Sequence, residues 1–172
     1  MPKAWLVGLG ISLLLAGCSS QPKAPTDSLS QQLPETTYKP QAGHSQNVLF
    51  HALGLIGTPY LWGGNTPEPG FDCSGLIAYV YDQSAGVQLP RTTSQMHSYS
   101  SAPKVARNQW RSGDILYFAT AGNGKVSHAG IYVGEGRFVH APSSGGTVRL
   151  DRMDNSYWSK AYIGANRPLA KN

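Results

Sequence analysis

Apolar periodicity changes once along this chain, and the change narrows the folds open to it. Between about residues 48 and 84 the apolar side chains recur at helical spacing; beyond about 114 they fall in short β-rich runs parted by glycine. "SQNVLFHALGLIG" carries Val48, Leu49, Ala52, Leu53 and Ile56 on a helical repeat, with Gly57 and Pro59 as its stop. A second helix is expected from Cys73 to Ser84, with Leu76, Ile77, Val80 and Tyr81 on one side and Gly86 ending it. "YLWGGNTPEPG" between them reads as loop, and "TTSQMHSYS" after Pro90 as a short helix. "DILYFAT", "VSHAGIYVG", "RFVHAP", "TVRLDRM" and "AYIGANRP" read as strands. Helices first and strands afterwards predict an α+β fold, with N-terminal helices packed on a C-terminal, meandering antiparallel sheet.

The N-terminus carries a different signal. In "MPKAWLVGLGISLLLAGCSS", Lys3 precedes an apolar run from Leu6 to Ala16. That run is short for a membrane span and right for the apolar part of a signal peptide. "LAGC" then resembles the bacterial lipobox, which implies removal of residues 1–17 and lipidation of Cys18. The alternative is an ordinary signal peptide that contains a cysteine. Ser19 after the cysteine suits outer-membrane sorting, so the expected place is the periplasm-facing surface of a Gram-negative membrane. Residues 18–43 are rich in Pro, Ser, Thr and Gln and poor in apolar side chains. Such a segment buries too little surface to offset its ordering entropy, and it is expected to be a disordered tether. Residues 44–168 are the expected globular domain, with 169–172 as a tail. The net charge of +5 is spread thinly. It excludes the clustered Lys and Arg of a nucleic-acid stripe and fits a general attraction to an acidic surface or polymer.

If Cys18 carries lipid, Cys73 has no partner for a disulfide within the chain, and an unpaired thiol in an oxidising compartment needs a reason. "GFDCSG" places Asp72 as a helix N-cap type and Cys73 in the first turn. The helix dipole and free N–H groups there favour thiolate over thiol, and with a neighbouring imidazole they would lower the thiol pKa. Against this stands a plainer reading of Cys73 as a small buried hydrophobe.

Two histidines are placed to serve as base and orienter. His128 lies on one expected strand and His140 on the next. A two-residue turn at Glu135-Gly136 would set His140 opposite Ile131, on the wrong face. A three-residue turn, Gly134-Glu135-Gly136, would pair Val133 with Arg137 and put both imidazoles on one face as diagonal neighbours. The three-residue turn is therefore expected, giving a relay with Cys73 as nucleophile, His128 as base and His140 orienting His128. Two unrelated sheet histidines are one alternative; a zinc site on Cys73, His128 and His140 is another, lacking an evident fourth ligand. His44, His51 and His97 read as surface or packing residues.

Taken together, "TPYLWGGNTPEPGFDCSGLIAYVY", "LPRTTSQM", "SGDILYF", "SHAGIYVG" and "FVHAP" resemble, in order and spacing, the NlpC-type cysteine peptidases of peptidoglycan, which share a papain-like α+β core. The resemblance covers roughly residues 46–167. It implies Cys73 as nucleophile, His128 as base and His140 as the third polar member. It implies a Tyr60 hydroxyl beside the nucleophile that helps the oxyanion, joined by the Cys73 backbone N–H. Asp72 and Ser74 would contact substrate or simply cap and pack the helix start. Arg91 and Gln95 match a family stretch that lines the groove or fixes the loop, and Asp114 reads as turn chemistry. Leu61-Trp62 departs from the basic residue followed by Tyr or Trp found in many members, which bears on the groove wall. The resemblance implies hydrolysis of a stem-peptide amide through a thioester, at the D-γ-glutamyl–diaminopimelate bond or the D-alanyl–diaminopimelate cross-link. The former is the usual bond in the family, and some lipoprotein members similar to this chain cut the latter. It implies peptidoglycan as partner, a monomer, and no cofactor or metal. A catalytically silent binding lipoprotein, or an acyl transferase on a related fold, are the other classes.

Overall fold

The computed structural model describes residues 43–144 and 146–169. The expected signal peptide, Cys18 and nearly all of the tether lie outside them. Helix α1 spans Gly43–Gly54, a two-stranded hairpin follows (β1, Asn65–Thr66; β2, Gly70–Phe71), and α2 runs Cys73–Ala85. A short helix α3 covers Thr93–His97. Then come β3 (Ile115–Phe118), β4 (His128–Gly134), β5 (Arg137–His140), β6 (Arg149–Arg152), α4 (Ser156–Ala161) and β7 (Tyr162–Asn166).

The ends of α2 follow from its sequence. Asp72 has extended backbone and its carboxylate accepts the Gly75 N–H, which makes it the N-cap. Gly86 takes φ 63°, and its N–H turns back to the Asp82 and Tyr81 carbonyls. The helix packs tightly against the hairpin loop: a Cβ on Gly75 would sit 2.0 Å from the Gly64 carbonyl oxygen. This pins the start of α2, and Cys73 with it, to the preceding loop. Helix α1 stops at Gly54, ahead of the expected Gly57, and Leu55–Gly57 continue as a turn. Ile56 is consequently exposed, whereas Val48 and Ala52 are buried against α2 and the sheet.

The sheet is antiparallel throughout, in the order β6-β5-β4-β3-β7. The expected meander holds from β3 to β6. The last strand departs from it, crossing back through α4 to pair with β3 at the far edge. Helix α4 falls in "SYWSKA", a stretch the sequence reading passed over. Its N-cap Asn155 accepts the Tyr157 N–H.

Alternation along the strands builds two cores. Ile115, Tyr117, Ala129, Ile131 and Val139 face α1 and α2, packing on Leu76, Ile77, Val80 and Tyr81. Leu116, Phe118, Phe138 and Ala165 face the other way, onto Met153 and Trp158. Each fully buried large apolar side chain contributes about 1.5–3 kcal/mol relative to exposure. Tyr81, fully buried, donates its hydroxyl to the Gly113 carbonyl and so ties α2 to the turn before β3.

The turn between β4 and β5 corrects the expectation while preserving its consequence. Gly134 pairs with Arg137, so only Glu135 and Gly136 lie outside the ladder. They have φ 51° and 68°, the double left-handed geometry that matches strand twist. A bulge between Tyr132 and Gly134 then shifts the register by one, and Ile131 pairs with Val139. The bulge supplies the offset that the three-residue turn had been expected to supply, and both histidines still share a face.

Candidate active site

Cys73 opens α2 and stands half-buried at the floor of a groove of about 550 Å³. Tyr60, Trp62, Asp72, Ser74, Arg91 and His128 also line that groove, together with Thr120, Ser127 and Ser143. The backbone N–H groups of Ala129, Ser74 and Cys73 itself favour the thiolate. They are outweighed. Burial, reinforced by the Asp72 carboxylate, pushes the Cys73 thiol up to about 11. The expected lowering by helix placement and imidazole is thus overturned: the resting sulfur is a protonated thiol.

His128 and His140 meet as their shared face requires. His128 Nε2 lies 2.7 Å from His140 Nδ1, with the rings edge to face. Burial lowers His128 to about 3, helped by the neighbouring His140 and Arg149. Burial likewise lowers His140 to about 4, against the opposing pull of Asp151. Both rings rest neutral at pH 7, so the thiol and the imidazole that share the groove are both uncharged. The zinc alternative loses His140 here, because both of its ring nitrogens are engaged, Nδ1 with His128 and Nε2 with Asp151.

Beyond His140 the chain of contacts continues, and the sequence reading missed it. His140 Nε2 lies 3.0 Å from Asp151 Oδ2. The same carboxylate oxygen accepts Trp158 Nε1–H at 2.9 Å and Arg149 Nη2–H at 3.0 Å. The Trp158 ring stacks on His128 at 5.5 Å and meets His140 edge-on at 4.8 Å. Asp151 pairs across the ladder with Phe138, and Arg149 with His140, so all four share the histidine face. No tight turn joins β5 to β6, so nothing local in the sequence set that register.

Gly130 is a further residue that the sequence did not mark. It lies on β4 two residues after His128, on the histidine face, flanked by the helix-side neighbours Ala129 and Ile131. A Cβ there would come within 2.7 Å of Phe138 Cδ2, 2.9 Å of the Val139 carbonyl oxygen and 3.1 Å of His140 Cβ. The bare α-carbon leaves His140 its room.

Tyr60 stands beside the sulfur. Burial raises its phenol pKa, and the charges of Cys73 and Asp72 add to the rise. Its backbone N–H bonds to the Gly146 carbonyl at 2.8 Å, fixing its place on the groove wall. Asp72 and Ser74 are engaged with Arg91. Arg91 Nη2 lies 2.8 Å from Asp72 Oδ2, and its Nη1 lies 2.9 Å from Ser74 Oγ. Burial alone would raise the Asp72 carboxyl; Arg91, the Gly75 N–H and Ser74 hold it below the ordinary carboxylate value. Asp72 caps the helix, Ser74 donates its hydroxyl to Asp72, and both side chains line the groove. Gln95 fixes its own loop, its N–H and side chain both bonded to the Thr92 hydroxyl. Asp114 is fully structural, accepting the Arg111 N–H and two bonds from Arg167. His51 bonds Ser84, and His97 packs edge-on against Tyr117.

The NlpC/P60 family model matches residues 57–167, from the turn after α1 through β7, taking in every groove residue described above. The chain belongs to the NlpC/P60 family. It is 39% identical over 114 residues to the murein DD-endopeptidase MepH of Escherichia coli strain K12, covering 66% of this chain and 42% of that protein. It is 37% identical over 154 residues to the probable endopeptidase YafL of the same organism, covering 87% of this chain and 62% of that one. The chain thus matches less than two thirds of either relative. The NlpC/P60 domain of the peptidoglycan hydrolase SagA superimposes with a TM-score of 0.60 at 33% identity, covering 71% of this chain and 97% of that structure.

Proposed function

We propose that this protein is a cysteine endopeptidase that hydrolyses an amide bond of peptidoglycan stem peptides. The observation that carries the reading is a thiol at a helix start sharing one groove with a histidine whose far nitrogen is already engaged by a second histidine. Membership of a family whose relatives are named endopeptidases supports it.

The geometry supports a definite sequence of steps. Substrate enters the groove with its scissile carbonyl over Cys73. The Sγ–H proton passes to the free nitrogen of His128 as sulfur bonds to the carbonyl carbon. Because thiol and imidazole start neutral, charge appears only as the tetrahedral oxyanion forms. On this reading the Cys73 backbone N–H and the Tyr60 hydroxyl donate to that oxygen, since both residues line the groove. Collapse breaks the C–N bond, and His128 returns its proton to the leaving amine. Water, deprotonated by His128, then attacks the thioester and releases the acid and the thiol. The Asp72–Arg91–Ser74 cluster borders the sulfur and offers both charge signs to a stem peptide, whose free amine and carboxylates match them.

The cleaved bond on this reading is D-alanyl–diaminopimelate or D-γ-glutamyl–diaminopimelate, the name of MepH favouring the former. On this reading a single copy suffices, because Cys73, His128 and Tyr60 line one groove. The Leu6–Ala16 run and "LAGC" support a lipid anchor on Cys18 at the outer membrane, with residues 18–43 giving reach to the wall. Loss of fatty-acid labelling in Cys18→Ala would bear that out; labelling that persists would contradict it.

The test is digestion of purified sacculi, with fragments identified by mass. Cross-linked dimers converted to monomers, with new D-alanine carboxylates and diaminopimelate amines, identify the cross-link as the target; new γ-glutamyl termini identify the other bond. Sacculi left intact would favour the silent binding protein.

A further inference from the structure

We propose that Asp151 is a positioning residue that sets the tautomers of both histidines and so aims the lone pair of His128 at the Cys73 thiol. The inference rests on the reading of Cys73 as nucleophile and adds a fourth member behind the three the sequence reveals.

Proton counting fixes each step. An ionised carboxylate only accepts. With Asp151 Oδ2 at 3.0 Å from His140 Nε2, that nitrogen carries the hydrogen. A neutral imidazole has one N–H, so His140 Nδ1 is left with a lone pair. That lone pair lies 2.7 Å from His128 Nε2, which must be the donor. His128 Nδ1 is then bare, and it is the one ring nitrogen able to take the thiol proton. Remove the carboxylate and both rings are free to carry their hydrogens on the opposite nitrogens. In that arrangement His128 presents N–H to the thiol and cannot serve as base.

The carboxylate is itself held. Trp158 Nε1–H and the Arg149 guanidinium both bond to Oδ2, the oxygen that meets His140. Trp158 also covers both rings, which shields the relay from water that would otherwise compete for its hydrogen bonds. Burial would raise the Asp151 carboxyl, but His140 and the Arg149 guanidinium hold it below the ordinary carboxylate value, and Arg149 balances its charge. When His128 takes the proton, positive charge is felt through His140 to a negative group two hydrogen bonds away. Asp151 thus contributes through His140 and touches neither substrate nor sulfur.

The test uses Asp151→Ala and Trp158→Phe in the full chain, with two readouts. Nitrogen-15 spectra of the histidine rings, taken without substrate, report which nitrogen carries each hydrogen. Wild type is expected to show protonated Nε2 on both rings. Asp151→Ala is expected to show mixed tautomers, with kcat on a muropeptide down about tenfold or more and KM little changed. Trp158→Phe keeps the carboxylate and is expected to keep the wild-type tautomers. Wild-type spectra showing Nδ1–H on His128 would overturn the proposal. So would an Asp151→Ala protein with unchanged ring tautomers, whether or not its activity falls. The ring spectra need no substrate, so they stand apart from the test of the peptidase reading.

Discussion

The α-carbon of Gly130 faces His140 so closely that a methyl group there would reach within 3.1 Å of the histidine's Cβ, and within 2.9 Å of the Val139 carbonyl oxygen. The carbonyl belongs to the paired strand and cannot swing aside as a side chain would. Gly130→Ala should therefore push β4 and β5 apart beneath the histidine pair. The expected cost is about 1–3 kcal/mol of stability, with a larger proportional loss of kcat than of substrate affinity. Thermal melting together with muropeptide kinetics checks both; a variant with wild-type kcat would show that the pair tolerates a wider spacing.

A thiol pushed up to about 11 should behave as one. At pH 8 roughly one part in a thousand would be thiolate, so iodoacetamide should modify Cys73 more slowly than free cysteine. The rate should climb through pH 9 and 10 without a plateau. Asp72→Asn, which keeps a helix-capping oxygen, should shift that profile to lower pH by part of the displacement, because burial is the larger cause. A plateau below pH 8 in the wild type would contradict the neutral resting pair.

Both histidines are lowered in the folded protein, to about 3 and about 4, from an unfolded value near 6.5. In that interval the unfolded chain binds more protons than the folded one, so stability rises with pH. The contribution is fully present above about pH 6.5 and is lost as the pH falls through the folded values. Denaturant titrations should show stability dropping from pH 6.5 to pH 4, by up to about 1.4 kcal/mol per pH unit for each histidine. His128→Gln should flatten the slope. An unchanged slope would show that other groups carry it.

Arg167 places Nε 2.8 Å from Asp114 Oδ1 and Nη2 2.8 Å from Oδ2, and Asp114 is 1% exposed. Arg167→Met leaves that carboxylate buried with the Arg111 N–H as its remaining partner. The expected loss is about 3–5 kcal/mol in urea unfolding, because an uncompensated buried charge costs more than the pair contributes. A loss below about 1 kcal/mol would mean that water reaches Asp114 once the guanidinium is gone.

The parts of this molecule that were legible in the sequence are those fixed by local chemistry. Asp72 and Gly86 bracket α2 because capping needs only a few neighbouring residues. The meeting of His128 with His140 was legible because β4 and β5 are joined by a tight turn, which leaves few registers to choose from. Even there the sequence misplaced the extra residue, assigning to the turn what the bulge at Val133 performs. Asp151, Arg149 and Trp158 were illegible for the opposite reason. Their register against His140 is set by a longer connection and by packing from α4, neither of which a local pattern encodes. The thiol pKa was misjudged because capping features are visible in sequence, while the burial that outweighs them is a property of the assembled fold.

The most direct measurement compares fragment release from purified sacculi by wild type, Cys73→Ala and wild type alkylated to completion at Cys73. Release by the wild type alone, with both altered proteins at background, is the predicted result. Release by Cys73→Ala at a rate approaching wild type would contradict the account, since Cys73 is the one thiol among the described residues that line the groove.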